Sequence, residues 1–133
     1  MERVCHSHIT VSEKGKGVTF RNDSRAAYEK VRVDDCLVTV GPRADWIVTK
    51  IGISSVIIEL KGKDVDHAVD QLFATVQNDE CKKWIEKPTK MLIVCAKYPA
   101  FDTKVAHAQV RARKLGMSLK IVCRTFTCDL SEI

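Results

Sequence analysis

The sequence predicts an α/β fold with a mixed central β-sheet flanked by helices and a short N-terminal β extension. Apolar, β-branched runs recur between turn residues, and two later segments carry apolar side chains at helical spacing. Three strand-like segments in succession, followed by helix, strand, helix and strand, indicate packed layers. Because no repeat or long linker divides the chain, we expect a single domain over residues 1–133, with an extension at 1–22 and a core at 23–127.

The composition is typical of a globular protein. Hydrophobic residues make up 45% of the chain and charged residues 29%, and the net charge is +5. No apolar stretch approaches the roughly 20 residues that a membrane-spanning helix needs, and the N-terminus lacks an apolar signal core. We therefore expect a cytoplasmic protein without a membrane partner, whose six cysteines are free thiols.

The N-terminal third contains the weakest structural signals. Residues 8–12 and 18–21 read as two short extended pieces around a turn at 13–17. The cluster at 22–24 is typical of a helix N-cap and predicts a short helix over 25–30.

The remainder of the chain has clearer periodicity. After Asp64, a possible N-cap, apolar residues at helical spacing predict a helix. These residues are Val65, Ala68, Val69, Leu72 and Val76. We further predict strands at 31–40, 44–49, 54–61, 91–97 and 118–127, a helix at 103–115 and a polar connection at 78–90.

The strand at 54–61 ends in two charges on one face. Strand side chains alternate with period two, so Glu59 and Lys61 share a face with Ile57. Burying charges costs several kcal/mol unless geometry and hydrogen bonds compensate, which indicates a functional reason for the pair. The alternative is a strand end at which both charges reach water, and the strand alone does not decide between them.

Two further residues extend this feature into a pattern. Asp45 precedes Glu59 by fourteen residues at the start of the previous strand, and Gln71 follows Lys61 by ten on the predicted helix. Together with the order helix, three strands, helix, strand, this pattern resembles the PD-(D/E)xK superfamily of restriction-endonuclease-like nucleases over about residues 23–123. Ala44 stands where the superfamily's name-giving proline would be.

The resemblance implies a divalent-metal-dependent nuclease, most simply a DNA endonuclease. It assigns Mg²⁺, with Mn²⁺ as a substitute, to the carboxylates of Asp45 and Glu59 and the main-chain carbonyl of Leu60, which are the hard oxygen ligands that Mg²⁺ prefers. Lys61 would position the attacking water or stabilise the transition-state charge. Gln71 would contact the site or its water.

Other candidate site residues remain open at this stage. Glu29 falls where some superfamily members carry an extra acid, although short helices often end in such residues. Asp35 is either a supporting acid or a structural one, and His67 either touches the substrate phosphate or is a surface residue.

The resemblance implies nucleic acid, most simply DNA, as the partner. It also implies a homodimer, because small nucleases of this kind often dimerise. A basic stripe on the helix at 103–115 is the candidate for phosphate contacts, although a solvated helix face is an alternative. It comprises Lys104, His107, Arg111 and Lys114.

Two other classes of function remain as alternatives. One is a catalytically inactive nuclease-fold module that binds nucleic acid or a protein partner. The other is an interaction protein, such as an inhibitor or immunity factor, whose acids form only a charged surface. Duplex, single-stranded, branched and RNA substrates all present the same phosphodiester, so the sequence does not choose among them.

Overall fold

A computed structural model describes residues 1–33, 41–60, 65–96 and 103–133 of the chain. In these ranges the strands are β1 (Glu2–Val4), β2 (His8–Glu13), β3 (Lys16–Arg21), β4 (Tyr28–Arg32), β5 (Trp46–Lys50), β6 (Ser54–Leu60), β7 (Thr89–Cys95), β8 (Ser118–Cys123) and β9 (Thr125–Cys128). The helices are α1 (Val65–Gln77), α2 (Asp79–Lys82), α3 (Thr103–Lys114) and a 3₁₀ turn at Leu130–Glu132.

The central sheet is mixed, as predicted. Its strand order is β1-β4-β5-β6-β7-β8. Strands β4, β5 and β6 form an antiparallel meander, whereas β6, β7 and β8 are parallel. Strand β6, which carries Glu59, is therefore antiparallel to one neighbour, β5, and parallel to the other, β7.

The two faces of the central sheet are covered by different layers. Helices α1 and α3 pack on one face, against apolar side chains that include Ile47, Ile57 and Ile93. The small sheet of β2, β3 and β9 covers the other face, where Ile58 and Leu92 point. All seven residues of β6 are consequently buried.

Burial of this strand is a large stabilising term. Ile57 and Ile58 point to opposite layers and both are 0% exposed. A fully buried isoleucine contributes about 1.5–3 kcal/mol relative to an exposed one. The strand that presents Glu59 is thus fixed by apolar contacts on both sides.

The two extended pieces predicted near the N-terminus form an antiparallel hairpin. Strands β2 and β3 pair with Ile9 opposite Phe20 and Val11 opposite Val18. The connecting residues Lys14 and Gly15 have φ values of 50° and 80°, the left-handed conformation of tight hairpin turns. The apolar face of this hairpin packs on the central sheet.

The predicted helix at 25–30 is wrong, because this segment leads into strand β4. The Asn22 side chain does not cap a helix. It accepts a hydrogen bond from the Ala26 N–H at 3.0 Å and donates to the Ala26 carbonyl at 2.8 Å, closing a loop. Arg25 has a φ of 54°, which is incompatible with a right-handed helix. Pairing with β1 and β5 then holds Tyr28–Arg32 extended.

The predicted final strand at 118–127 is two strands in different sheets. Arg124 has a φ of 56° and separates β8 from β9. Its N–H donates to the Cys95 carbonyl at 2.7 Å. Strand β9 then pairs in parallel with β3 in the small sheet.

The other predictions agree with the structure within a few residues, with two qualifications. The polar connection at 78–90 contains the short helix α2, whose N-cap Asn78 accepts from the Cys81 N–H at 3.1 Å. Of the strand predicted at 31–40, residues 34–40 lie outside the described part. None of the described helices is long and apolar enough to span a membrane.

The described cysteines carry free thiols, as expected, while Cys36 lies outside the described residues. Burial raises the pKa of the thiols of Cys81 and Cys128 to about 11. Both thiols therefore stay protonated near neutral pH.

Candidate functional site

The candidate site is built around the carboxyl end of β6 and the residue that precedes β5. The Asp45 N–H donates to the Ile58 carbonyl at 3.0 Å, although Trp46 is the register partner of Ile58. Asp45 and Trp46 thus both oppose Ile58, which is the pattern of a β-bulge. A second bond, from the Val33 N–H to the Asp45 carbonyl at 2.9 Å, fixes Asp45 from the β4 side.

The Asp45 side chain reaches across to β6. Its Oδ2 accepts a hydrogen bond from the Leu60 N–H at 2.7 Å. This N–H belongs to the peptide that joins Glu59 to Leu60, so the Asp45 carboxylate lies against that peptide. The structure therefore brings Asp45 to the end of the strand that carries Glu59 and Leu60, as the sequence pattern predicts.

Glu59 lies on the helix-covered face of the sheet. It shares a face with Ile57, whose side chain belongs to the core under α1 and α3, and it is opposite Ile93 on β7. Glu59 is only 1% exposed. The alternative of a strand end in water is therefore wrong for Glu59.

Helix α1 is tied to the segment that precedes Asp45. The Thr75 hydroxyl accepts a hydrogen bond from the Ala44 N–H at 2.7 Å and donates to the Gln71 carbonyl at 2.8 Å. Thr75 is 0% exposed. Thr75 follows Gln71 by four residues on the helix, and this spacing alone did not indicate the contact with Ala44. A threonine inside an apolar helical stripe is the signal that could have indicated it.

Gln71 lies one helical turn before Thr75. Its Oε1 is buried and accepts no hydrogen bond from the residues that the structure describes. A buried amide oxygen without a hydrogen-bond donor makes the free energy of folding less favourable. The Gln71 Oε1 is therefore a candidate contact for a bound water or ligand.

Three other predicted residues have different outcomes. Lys61 and Asp35 lie outside the described residues. His67 is exposed near the start of α1.

Glu29 does not join the site. It lies on β4 opposite Thr49, four residues along β5 from Asp45, which corresponds to about 13 Å of extended strand. Its carboxylate forms an ion pair with Arg3 at 3.7 Å. The weak expectation of an additional acid at this position is therefore wrong.

Asp45 and Glu59 are the residues near the end of β6 that could hold a divalent cation. Their carboxylates could supply oxygen ligands, and the Leu60 N–H bonds to Oδ2 of Asp45. Within the described ranges, no group of three or more His, Cys, Asp or Glu residues could hold a metal. Mg²⁺ is commonly bound by one or two carboxylates while keeping several waters.

The basic stripe on α3 is partly engaged with α1. Lys104 forms an ion pair with Asp70 at 3.4 Å, and the Arg111 guanidinium lies 4.1 Å from the centre of the Phe73 ring. His107 and Lys114 are exposed. Two of the four residues thus help to hold the helices together.

Comparison of the chain with models of protein families, with curated proteins and with solved structures gave no match.

Proposed function

We propose that the protein is a divalent-metal-dependent nuclease that hydrolyses phosphodiester bonds, most simply a DNA endonuclease. The observation that carries this proposal is the hydrogen bond from the Leu60 N–H to the Asp45 carboxylate, which brings Asp45 to the end of the strand that bears Glu59. These acids and the following Lys61 are the residues that the resemblance to PD-(D/E)xK nucleases singles out.

The topology supports a restriction-endonuclease-like core. The antiparallel meander β4-β5-β6 leads through α1 to β7, which is parallel to β6. This is the order of three strands, helix and strand that the resemblance implies. The departure is at the start, where the described chain has a strand-rich segment in place of the expected first helix.

Each residue has a chemical task in this proposal. A bound Mg²⁺ would polarise the phosphodiester and lower the pKa of a coordinated water. Asp45, Glu59 and the Leu60 carbonyl would hold it. Lys61 would stabilise the negative charge that develops on the phosphate, and the buried Gln71 Oε1 would orient the attacking water.

The partner, the oligomeric state and the cellular location belong to the same proposal. Nucleic acid is the proposed partner, with the exposed His107 and Lys114 of the basic stripe as phosphate contacts. A homodimer with two sites for two strands, and a cytoplasmic location, complete the proposal.

A cleavage panel tests the proposal. Duplex, single-stranded and branched DNA and RNA are each incubated with Mg²⁺, with Mn²⁺ and with a chelator. We expect metal-dependent cleavage of at least one substrate, abolished by Glu59→Ala and by Lys61→Ala. Glu29→Ala removes a carboxylate from the other end of the strands and serves as the matched control that retains activity.

Two outcomes contradict the proposal, one for the site and one for the activity. Full activity in both Glu59→Ala and Lys61→Ala would remove the proposed site. Absence of cleavage throughout the panel, with a folded protein that still binds nucleic acid, would favour the inactive nuclease-fold module.

A further inference from the structure

An apolar groove lies near the amino end of β7, whereas the candidate site lies at the carboxyl end of the neighbouring β6. It is bounded by Thr89 at the start of β7, by the end of α1 and by the turn after α3. Its volume is about 910 Å³. We call it the α1–α3 groove, and its apolar lining comprises Phe73, Val76, Ile85, Pro88, Leu115 and Met117.

The backbone at one wall of this groove is fixed. Helix α3 ends in a Schellman motif, in which the Met117 N–H donates to the Ala112 carbonyl at 2.8 Å and the Gly116 N–H to the Arg113 carbonyl at 3.0 Å. Gly116 has a φ of 76°, which favours glycine. The motif presents Leu115 with 57% of its surface exposed, so the groove is open to solvent on this side.

The charged side chains that line the groove are both lysines. Lys82 and Lys87 line it, and the Arg111 guanidinium covers the Phe73 ring at 4.1 Å. None of the described residues that line the groove is acidic. Lys82 has an ion pair with Asp79 at 3.8 Å, but both side chains are exposed, and such a pair contributes little and exchanges readily.

Several kinds of occupant fit this combination poorly. A symmetric dimer through the groove would bring the lysines of two copies together, because the same surface patch faces itself across a two-fold axis. Stacking of nucleic-acid bases needs an accessible ring, and Phe73 is 4% exposed beneath Arg111. Addition of a strand needs a sheet edge, whereas β7 lies between β6 and β8.

We propose that the α1–α3 groove binds an amphipathic helix of a partner protein, with apolar residues on one face and acidic residues flanking them. The apolar lining would take side chains at helical spacing, as in other helix-in-groove complexes. Lys82, Lys87 and Arg111 would pair with the flanking carboxylates. This binding does not depend on the proposed nuclease activity, because the groove shares no residue with the candidate site.

Binding of two designed peptides to the full chain tests the proposal. Both are helical with leucines at positions i, i+3, i+4 and i+7, and their flanking residues are glutamate in one and lysine in the other. Fluorescence anisotropy of the labelled peptides should show saturable binding of the glutamate peptide and at least about tenfold weaker binding of the lysine peptide.

Variants of the protein locate the binding. Leu115→Glu should weaken binding of the glutamate peptide at least about tenfold, a loss of about 1.4 kcal/mol. Val110→Glu is the matched control, because Val110 is a 41% exposed apolar residue of α3 that does not line the groove. The double variant Lys82→Glu with Lys87→Glu should reverse the preference between the peptides, a result that misfolding cannot produce.

The proposal is overturned if neither peptide binds, if both bind equally, or if the double charge reversal leaves the preference unchanged. Sedimentation that shows a dimer of the wild-type protein and a monomer of Leu115→Glu would assign the groove to a second copy instead.

Discussion

Asp45 has a structural task as well as a proposed chemical one. The peptide N–H of Leu60 follows the last register pair of β5 and β6, Trp46 with Ile58, and the Asp45 carboxylate supplies its hydrogen-bond acceptor. The same side chain is the acid that the sequence pattern assigns to a metal. Removing it therefore changes both the end of the strand and the candidate site.

Two substitutions at Asp45 separate these tasks. Asp45→Asn keeps an oxygen acceptor for the Leu60 N–H but removes the charge, so the free energy of unfolding should stay close to that of the wild type. Asp45→Ala leaves the N–H without this acceptor and should cost about 1–3 kcal/mol, measured by urea denaturation.

Metal-dependent cleavage should fall in both variants. The cleavage rate should fall by more than roughly 10- to 100-fold. A loss of that size is typical when the removed group only supports a metal ligand. Wild-type activity in Asp45→Asn would show that Asp45 has the structural task alone.

At the scale of elements, strong periodicity predicted well and local turn signals predicted poorly. Helix α1 (Val65–Gln77) covers the apolar stripe that predicted it, from Val65 to Val76, because this stripe is continuous. The failures fall at Arg25 and Arg124, two non-glycine residues with positive φ. The Arg124 N–H bonds to the distant Cys95 carbonyl, and the Asn22 side chain that closes the loop around Arg25 also donates to the distant His6 carbonyl at 2.9 Å, so sequence patterns do not reveal these conformations.

The contact between α1 and the segment before β5 gives a second prediction. Thr75→Val removes the hydroxyl and leaves the Ala44 N–H buried without this acceptor, which should lower the free energy of unfolding by about 1–3 kcal/mol. Thr75→Ser keeps the hydroxyl and should retain most of the stability. Urea denaturation of the two variants measures the difference.

We expect Thr75 to fix the position of Asp45 as well, because it holds the preceding residue, Ala44. Amide hydrogen exchange at Leu60 should be faster in Thr75→Val than in Thr75→Ser, because the acceptor on Asp45 is held less firmly. Equal protection of Leu60 in both variants would show that Thr75 does not position Asp45.

At the scale of the whole molecule, the sequence predicted the central sheet but not its second cover. The continuous apolar run at 56–58 is typical of a strand buried on both faces. The layer that buries its second face is built from the β2–β3 hairpin near the start of the chain and from β9 near its end. The prediction of a single strand at 118–127 joined β9 to β8 and therefore did not reveal this layer.

The chemistry of the candidate site stays a prediction. The motif singled out Asp45, Glu59 and Leu60, and the structure shows the Leu60 N–H bonded to the Asp45 carboxylate at the end of β6. The tie through Thr75 could not be predicted, because it depends on how α1 crosses the sheet rather than on a sequence spacing.

Calorimetric titration with Mn²⁺ and Mg²⁺ tests most directly whether Asp45 and Glu59 act together on one cation, because it does not depend on choosing the correct nucleic acid. The account predicts saturable binding to the wild-type protein and to Glu29→Gln, and at least about tenfold weaker binding to Asp45→Asn and Glu59→Gln. Absence of binding by the folded wild-type protein, or unchanged affinity in Asp45→Asn and Glu59→Gln, would contradict it.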